Sequence, residues 1–313
     1  MTATIAEAPT LLRIEGLVTR FRGGEQSVTA VDAIDLALKA GEIFGLVGES
    51  GCGKTATCRS VIRLFGGAEA ELRRVRGGQI SVIFQEPMTA LNPVLTVGMQ
   101  IRENLREHTE LDAAGRKARA IELLDHVGIP AAKSRIEDYP HQFSGGMRQR
   151  AMIAIALASS PKLLLADEPT TALDVTIQDQ ILKLILRLRR ELAMSVVLVT
   201  HDLGVIAQTC DRLAVMYAGR VVETGPVAEI FRKPRHAYTL GLLNSVPRAG
   251  VMRQPLASIP GQPPLLSELP EGCAFAPRCR FVIDACRQAR SPLVMVDTAH
   301  RSACIRHETV AAA

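Results

Sequence analysis

A glycine-rich loop at residues 48–55 constrains the fold of this chain more than any other feature of its sequence. The loop fits the pattern G-x-x-x-x-G-K-[ST], and it lies between the apolar run 42–47 and a segment with a helical pattern. In this context the glycines let successive backbone N–H groups turn inward, and the helix adds the positive end of its dipole. We expect Lys54 to contact the β- and γ-phosphates of a nucleotide, and the Thr55 hydroxyl to bind Mg²⁺. The predicted phosphate-binding residues are Gly48, Glu49, Ser50, Gly51, Cys52, Gly53, Lys54 and Thr55.

Apolar runs and helical patterns alternate along the rest of the chain. Residues 11–18 and 31–38 predict strands, and short apolar runs at 80–84, 163–166 and 196–199 predict buried strands of a parallel sheet. Helical patterns follow at 97–107, 113–127, 147–159 and 175–192, the last with Asp174 as its N-cap. The sequence therefore predicts an α/β core that carries an inserted, all-helical piece at about 94–160.

Composition excludes several classes of protein. The 313 residues are 47% hydrophobic and 22% charged, which is ordinary globular usage, and the net charge of +5 is too small to argue for nucleic acid. No stretch approaches the roughly 18 consecutive apolar residues of a membrane-spanning helix, and the N-terminus does not resemble a signal peptide. We therefore expect a cytosolic chain, whose cysteines are thiols or metal ligands before they are disulfides.

The C-terminal part differs in composition from the rest. Residues 231–313 hold 11 Lys and Arg against 5 Asp and Glu, together with 9 of the 17 prolines and 4 of the 7 cysteines. This shift predicts a main domain over residues 1–246 and a small cysteine-rich extension over 247–313.

Two carboxylates end one of the predicted strands. Asp167 and Glu168 follow the apolar residues 163–166. We expect Asp167 to hold Mg²⁺ and Glu168 to act as the general base that activates the attacking water.

Residues 143–150 (FSGGMRQR) extend the argument to a family. Together with the P-loop they resemble the signature motif of ATP-binding cassette (ABC) ATPases, and they form a second predicted anion site at a helix start. The resemblance implies a P-loop ABC nucleotide-binding domain with a RecA-like core, an antiparallel β-subdomain and a helical subdomain. It also implies that Ser144, Gly145 and Gly146 close on the ATP of a partner cassette.

The other motifs of that family occur in the expected order. Gln85 resembles the Q-loop glutamine, a ligand of Mg²⁺ or water, and residues 171–174 with Asp174 resemble the D-loop. His201 resembles the switch histidine that contacts the γ-phosphate, and Phe21 lies where the family usually has an aromatic residue that stacks on adenine. The resemblance thus implies Glu168, His201 and Gln85 as catalytic residues, with ATP and Mg²⁺ as ligands.

Further runs resemble the oligopeptide/dipeptide branch of ABC importers. They are QEPMTALNP at 85–93, YPHQ at 139–142, HAYT at 236–239 and GCAFAPRC at 272–279. This resemblance implies an ATPase that powers uptake of dipeptides, oligopeptides or related cargo such as nickel. It implies a second cassette, which we expect to be a different chain, two transmembrane permease subunits and an extracytoplasmic substrate-binding protein, with this chain peripheral on the cytoplasmic face of the membrane.

Two other functions compete with this one. A soluble cassette acting on ribosomes or DNA is disfavoured because the chain has one cassette, no coiled-coil insertion and no basic patch in residues 1–230. A regulatory cassette without hydrolysis is disfavoured by the presence of Glu168 and His201.

The chain departs from the family between the P-loop and the Q-loop. Only 30 positions separate Thr55 from Gln85, where the family usually has an additional strand pair with a glycine turn. We therefore expect a trimmed antiparallel β-subdomain, with every phosphate ligand left in place.

The cysteines raise two expectations. Intervals of 5, 6 and 17 residues separate Cys273, Cys279, Cys286 and Cys304, and this spacing lacks the close cysteine pairs typical of zinc sites. The peptide-importer resemblance implies that these cysteines bind a [4Fe–4S] cluster. Zinc and free structural thiols stay open as alternatives. Cys52 lies at the start of a predicted helix, which should lower the pKa of its thiol; a cysteine that merely occupies a variable position of the loop is an equal alternative.

Overall fold

The structure is a computed structural model that describes residues 8–23, 26–63, 72, 74–171, 173–246 and 258–313. The strands are β1 (Thr10–Gly23), β2 (Gln26–Lys39), β3 (Ile43–Val47), β4 (Ile80–Ile83), β5 (Leu163–Asp167), β6 (Ser195–Val199), β7 (Arg212–Tyr217), β8 (Arg220–Pro226), β9 (Val294–Asp297) and β10 (His300–Ser302). The helices are α1 (Lys54–Arg63), α2 (Pro87–Ala90), α3 (Val97–His108), α4 (Ala113–His126), α5 (Ala132–Arg135), α6 (Gly145–Leu157), α7 (Val175–Glu191), α8 (Leu203–Thr209), α9 (Val227–Arg232), α10 (Ala237–Asn244), α11 (Asp284–Gln288) and α12 (His307–Ala311). Among the described residues, no helix is long and apolar enough to cross a membrane.

The chain divides into two compact units. One unit contains residues 61–199, and the other contains residues 7–60 and 200–313. Each unit is built around its own set of strands.

Parallel strands form the centre of the 61–199 unit. β5 pairs with β4 on one side and with β6 on the other, both in parallel register. All five residues of β5 and all five of β6 are buried, which explains why these strands are continuous apolar runs rather than alternating ones. The parallel strands predicted at 80–84, 163–166 and 196–199 are confirmed.

The helical piece of this unit is built from capped amphipathic helices. Thr96, Asp112 and Ser144 each accept a hydrogen bond from the backbone N–H three residues on, and so cap α3, α4 and α6. The described residues between 94 and 160 contain these helices and no strand, as predicted. Asp174 caps α7 in the same way, through the N–H of Ile177, which confirms that prediction.

The second unit contains a mixed sheet and a separate strand pair. β3 pairs with β7 in parallel, whereas β7, β8, β10 and β9 pair in that order and antiparallel. β9 and β10 come from the C-terminal extension, so the extension adds strands to the sheet. β1 and β2 form a two-stranded antiparallel sheet of their own.

The predicted shortening before the Q-loop agrees with the described residues. Between α1 and β4 they contain one isolated bridge, from Arg76 to Ile80, and no strand pair. Residues 64–71 and 73 lie outside the described part of the chain, as do residues 247–257 next to the predicted domain boundary at 246/247. That boundary stays a prediction.

Candidate nucleotide-binding site

The P-loop connects β3 to α1 in the strand–loop–helix order that the motif requires. Two of its glycines are needed for close approach: a Cβ at Gly48 would collide with the carbonyl oxygen of Met216, and one at Gly53 with that of Ala30. Their φ angles, 154° and 103°, are also ones that other residues rarely adopt. The loop therefore presses against its own unit, with its backbone turned as a phosphate cradle requires.

Lys54 is buried within this loop. Its side chain donates from Nζ to the carbonyl oxygens of Gly48 (2.8 Å) and Glu49 (3.0 Å), and the residue is 6% exposed. These bonds hold the ammonium group at the centre of the loop, where it can exchange the carbonyl oxygens for phosphate oxygens as hydrogen-bond partners.

Glu49 is held by residues from the far end of the chain. Its N–H donates to the hydroxyl oxygen of Tyr238 (2.8 Å). Its carboxylate accepts two bonds from Arg278, Nη1 to Oε2 (2.7 Å) and Nη2 to Oε1 (3.0 Å). Sequence analysis missed both partners, because the HAYT run with Tyr238 and the GCAFAPRC run with Arg278 carried only a family resemblance.

The expectation for Cys52 is wrong. The thiol is buried, and this burial raises its pKa, while the neighbouring charge of Lys54 acts in the opposite direction and is outweighed. The helix start alone therefore does not make this cysteine a reactive thiolate.

The predicted hydrolysis residues of the 61–199 unit meet at the end of β5. Glu168 has a left-handed φ of 47°, and its N–H donates to the carbonyl oxygen of Val199. Its Oε2 accepts hydrogen bonds from Gln85 Nε2 (3.1 Å) and from Thr171 Oγ1 (2.8 Å). Asp167, the last residue of β5, is 4% exposed. The structure thus brings Gln85 and Glu168 together and adds Thr171, which sequence analysis placed only within the D-loop run.

The signature residues lie at an exposed helix start. Ser144 and Gly145 are exposed and Gly146 is partly buried, at the start of α6. The Ser144 side chain caps this helix by accepting a hydrogen bond from Met147 N at 3.4 Å. Asp174 caps α7 in the same unit, as described above. The roles of Ser144, Gly145 and Gly146 toward a partner's ATP, and of Asp174 in nucleotide binding, stay predictions.

The remaining nucleotide residues lie in the unit of the P-loop and are exposed. His201 follows β6 in sequence, and Phe21 on β1 is 55% exposed. An exposed phenylalanine ring is available for stacking on a base, and both roles stay predictions.

The four cysteines of the extension line one cavity. None forms a disulfide, and burial raises the thiol pKa of Cys273, of Cys279 and of Cys304, the last to about 11. In the part of the chain that the structure describes, no three His, Cys, Asp or Glu side chains are arranged to hold one metal ion.

Two family models and several named proteins match the sequence of this chain. A family model described as "ABC transporter" matches residues 31–171, and one described as "Oligopeptide/dipeptide transporter, C-terminal region" matches residues 222–286. A protein of Brucella abortus that carries the name "peptide import ATP-binding protein" is 48% identical over 96% of this chain and 98% of its own length. The chain belongs to the ABC transporter family. A peptide ABC transporter ATP-binding protein of Sinorhizobium fredii is 46% identical over 97% of both chains.

Solved ABC cassettes resemble this one in structure as well. The dimeric cassette MJ0796, in a post-hydrolysis state bound to ADP and Pi, matches with a TM-score of 0.62 and 28% identity over 69% of this chain and 98% of that one. The cassette cbiO1 of Clostridium perfringens matches with a TM-score of 0.60 and 25% identity over 71% of this chain and 90% of that one. This chain is therefore an ABC-type ATPase.

Proposed function

We propose that this ABC ATPase powers an importer that carries peptides across the cytoplasmic membrane. The proposal depends on one observation above all: the chain has two phosphate-type helix starts, one buried around Lys54 and one exposed at Ser144. A single nucleotide needs only the first, so the second is available for the nucleotide of another cassette. Peptide cargo is supported by the family model at 222–286 and by the names of the relatives.

Glu168 is the residue to which we assign activation of the attacking water. A general base of this kind contributes about 10²–10⁴ to the rate, provided that its carboxylate is held in a productive orientation. The two donors on its Oε2, Gln85 and Thr171, fix that orientation. We assign contact with the γ-phosphate to Lys54 and His201.

We assign Mg²⁺ to the Thr55 hydroxyl, Gln85 and Asp167. These residues offer hydroxyl, amide and carboxylate oxygens, the hard donors that Mg²⁺ prefers, and Asp167 ends a buried strand. When bound, the ion neutralises charge on the phosphates.

The proposed assembly contains four further proteins. A second cassette, which we take to be a different chain, would present its own signature residues to the ATP of this chain. Two transmembrane permease subunits would form the pathway, an extracytoplasmic binding protein would deliver the peptide, and this chain would be peripheral on the cytoplasmic face.

Purification of the intact complex tests the proposal. We expect the tagged chain to copurify with two multi-span membrane proteins and a second cassette, and the reconstituted complex to hydrolyse ATP faster when a peptide-loaded binding protein is present. Recovery of the chain alone, or with ribosomes or DNA, would contradict the proposed function.

We also propose a [4Fe–4S] cluster in the extension. Four thiols lining one cavity are a fitting donor set, because each binds a different iron and their sulfurs need not approach one another as closely as around one zinc ion. The spacing of these cysteines, which lacks close pairs, favours the cluster over zinc.

The cluster is tested by metal content. Anaerobically purified protein should be brown, absorb broadly at about 400 nm and contain about four irons per chain. Colourless protein with stoichiometric zinc would reverse the choice, and folded protein without metal would contradict both.

A further inference from the structure

The side chain of Arg278 connects the C-terminal extension to the P-loop. Arg278 ends the short 3₁₀ helix Ala276–Arg278 and is 8% exposed, although it carries a full charge. Besides its two bonds to Glu49, the guanidinium donates from Nε to the carbonyl oxygen of Pro260 (2.8 Å) and from Nη1 to the hydroxyl of Tyr217 (3.2 Å). A buried arginine with all of these partners has one orientation, and that orientation faces residue 49.

Residue 49 is consequently fixed at each of its polar groups. Its N–H is bound by Tyr238, its carbonyl oxygen accepts from Lys54, and its carboxylate is paired with Arg278. Two of these three partners lie beyond residue 230, outside every motif of the hydrolysis reaction. The conformation of the P-loop therefore depends on the C-terminal part of the chain.

The charge of Glu49 gives this contact a consequence for ligand binding. A carboxylate within a phosphate-binding loop repels the phosphates of ATP, and the repulsion is strong in a partly buried site because screening by water is weak there. The two-pronged pair with Arg278 neutralises the carboxylate.

We propose that Arg278 is a positioning residue of the ATP site, through which the C-terminal extension neutralises Glu49 and holds the P-loop ready for phosphate. The inference requires that the P-loop binds ATP, as membership of the ABC family implies, and it does not require peptide import or a metal cluster. A failure of the importer proposal and a failure of this one are thus distinguishable.

ATP affinity of the full chain, measured by titration calorimetry, tests the proposal with four variants. We expect Arg278→Ala to weaken ATP binding about tenfold, because the unpaired Glu49 then repels the phosphates. Glu49→Gln should tighten binding about threefold, since Arg278 is left as a net positive charge beside the loop. In the Glu49→Gln background the effect of Arg278→Ala should shrink to about twofold or less.

Arg280→Ala is the matched control. Arg280 is two residues away and exposed, and its guanidinium stacks over the ring of Phe281. It should leave ATP affinity and unfolding temperature unchanged. If Arg278→Ala fails to fold, Arg278→Lys replaces it in the same cycle, with a smaller loss because a lysine cannot make the two-pronged pair.

Two results would overturn the proposal. One is an unchanged ATP affinity in a folded Arg278 variant. The other is an equal loss of affinity from the Arg278 change with Glu49 and with Gln at position 49, because a merely structural arginine would not be rescued by removing the carboxylate.

Discussion

The two phosphate-type helix starts of this chain differ in what holds them. At the start of α1, Lys54 is buried and residue 49 is bound on three sides, by partners up to 229 positions away in sequence. At the start of α6, Ser144 and Gly145 are exposed, and the Ser144 side chain caps its own helix through Met147.

The difference indicates a division of tasks. A loop whose polar groups are bound within its own unit is preorganised for a ligand that this chain must bind alone. An exposed helix start that carries a local cap can offer its other N–H groups to a ligand that another molecule presents. This is the arrangement expected if the first site serves the chain's own ATP and the second serves the ATP of a partner cassette.

The largest expected effect separates binding at the first helix start from chemistry elsewhere. Glu168→Gln should leave ATP binding intact and reduce steady-state hydrolysis by at least about 10²-fold, because only the base is lost. Lys54→Ala should instead weaken ATP binding itself. Phosphate release and equilibrium binding measured on both variants check this, and hydrolysis by Glu168→Gln at the wild-type rate would show that the base is wrongly assigned.

A substitution at the second helix start should affect hydrolysis by the complex and leave ATP binding by this chain unchanged. Ser144→Arg places a bulky side chain at an exposed site, so binding of ATP by the isolated chain should be unchanged. Hydrolysis by the assembled transporter should be blocked, since the partner's nucleotide loses its contact. Unaltered coupled ATPase activity in the variant complex would count against the shared-site arrangement.

Acid should lower the free energy of unfolding through His236, which is next to a partner of the first helix start. This fully buried histidine accepts the N–H of Tyr238 on its Nδ1, and burial lowers its pKa from 6.5 to about 4. The folded state thus binds fewer protons than the unfolded state between these values, so stability is fully present above pH 6.5 and is lost as the pH falls toward 4. The free energy of unfolding should fall by about 2 kcal/mol from pH 7 to pH 5 on this account.

Urea unfolding at the two pH values measures this effect. His236→Gln removes the titrating group and should flatten the pH dependence by that amount, whereas the exposed His141→Gln should not change it. An equal pH dependence in wild type and His236→Gln would exclude His236 as the cause.

The smallest expected effect concerns the thiol in the loop itself. Because Cys52 is buried and its pKa is raised, alkylation by iodoacetamide at neutral pH should be slow. Bound ATP should slow it further by covering the loop. Mass spectrometry of the modified chain reports the rate at each cysteine, and rapid modification of Cys52 without nucleotide would contradict the burial described here.

The features that the sequence predicted well are those encoded within a few residues. Examples are the P-loop, the buried runs of β5 and β6, and the cap at Asp174. Each depends on neighbouring positions, so its pattern can be recognised without a structure. The bonds of Glu49 to Tyr238 and Arg278 join positions 189 and 229 residues apart, and no local pattern contains them.

The burial of a side chain could not be predicted from a sequence motif either. The helix start at Cys52 predicts a lowered thiol pKa, but desolvation by the surrounding chain dominates and raises it. Glu168 shows a similar limit, because its left-handed backbone arises in the turn after β5, and one of its two side-chain donors, Gln85, is 83 positions away in sequence.

The aromatic residues beneath the P-loop make the site optically visible. The chain contains no tryptophan and three tyrosines, so tyrosine dominates its intrinsic near-ultraviolet fluorescence. Two of the three, Tyr217 and Tyr238, lie with ring centroids 4.6 Å apart, and their hydroxyls contact Arg278 and Glu49. The third, Tyr139, is exposed and can be replaced by phenylalanine. Movement of the loop against the extension can then be followed in real time from the protein's own emission, without a dye or an introduced probe.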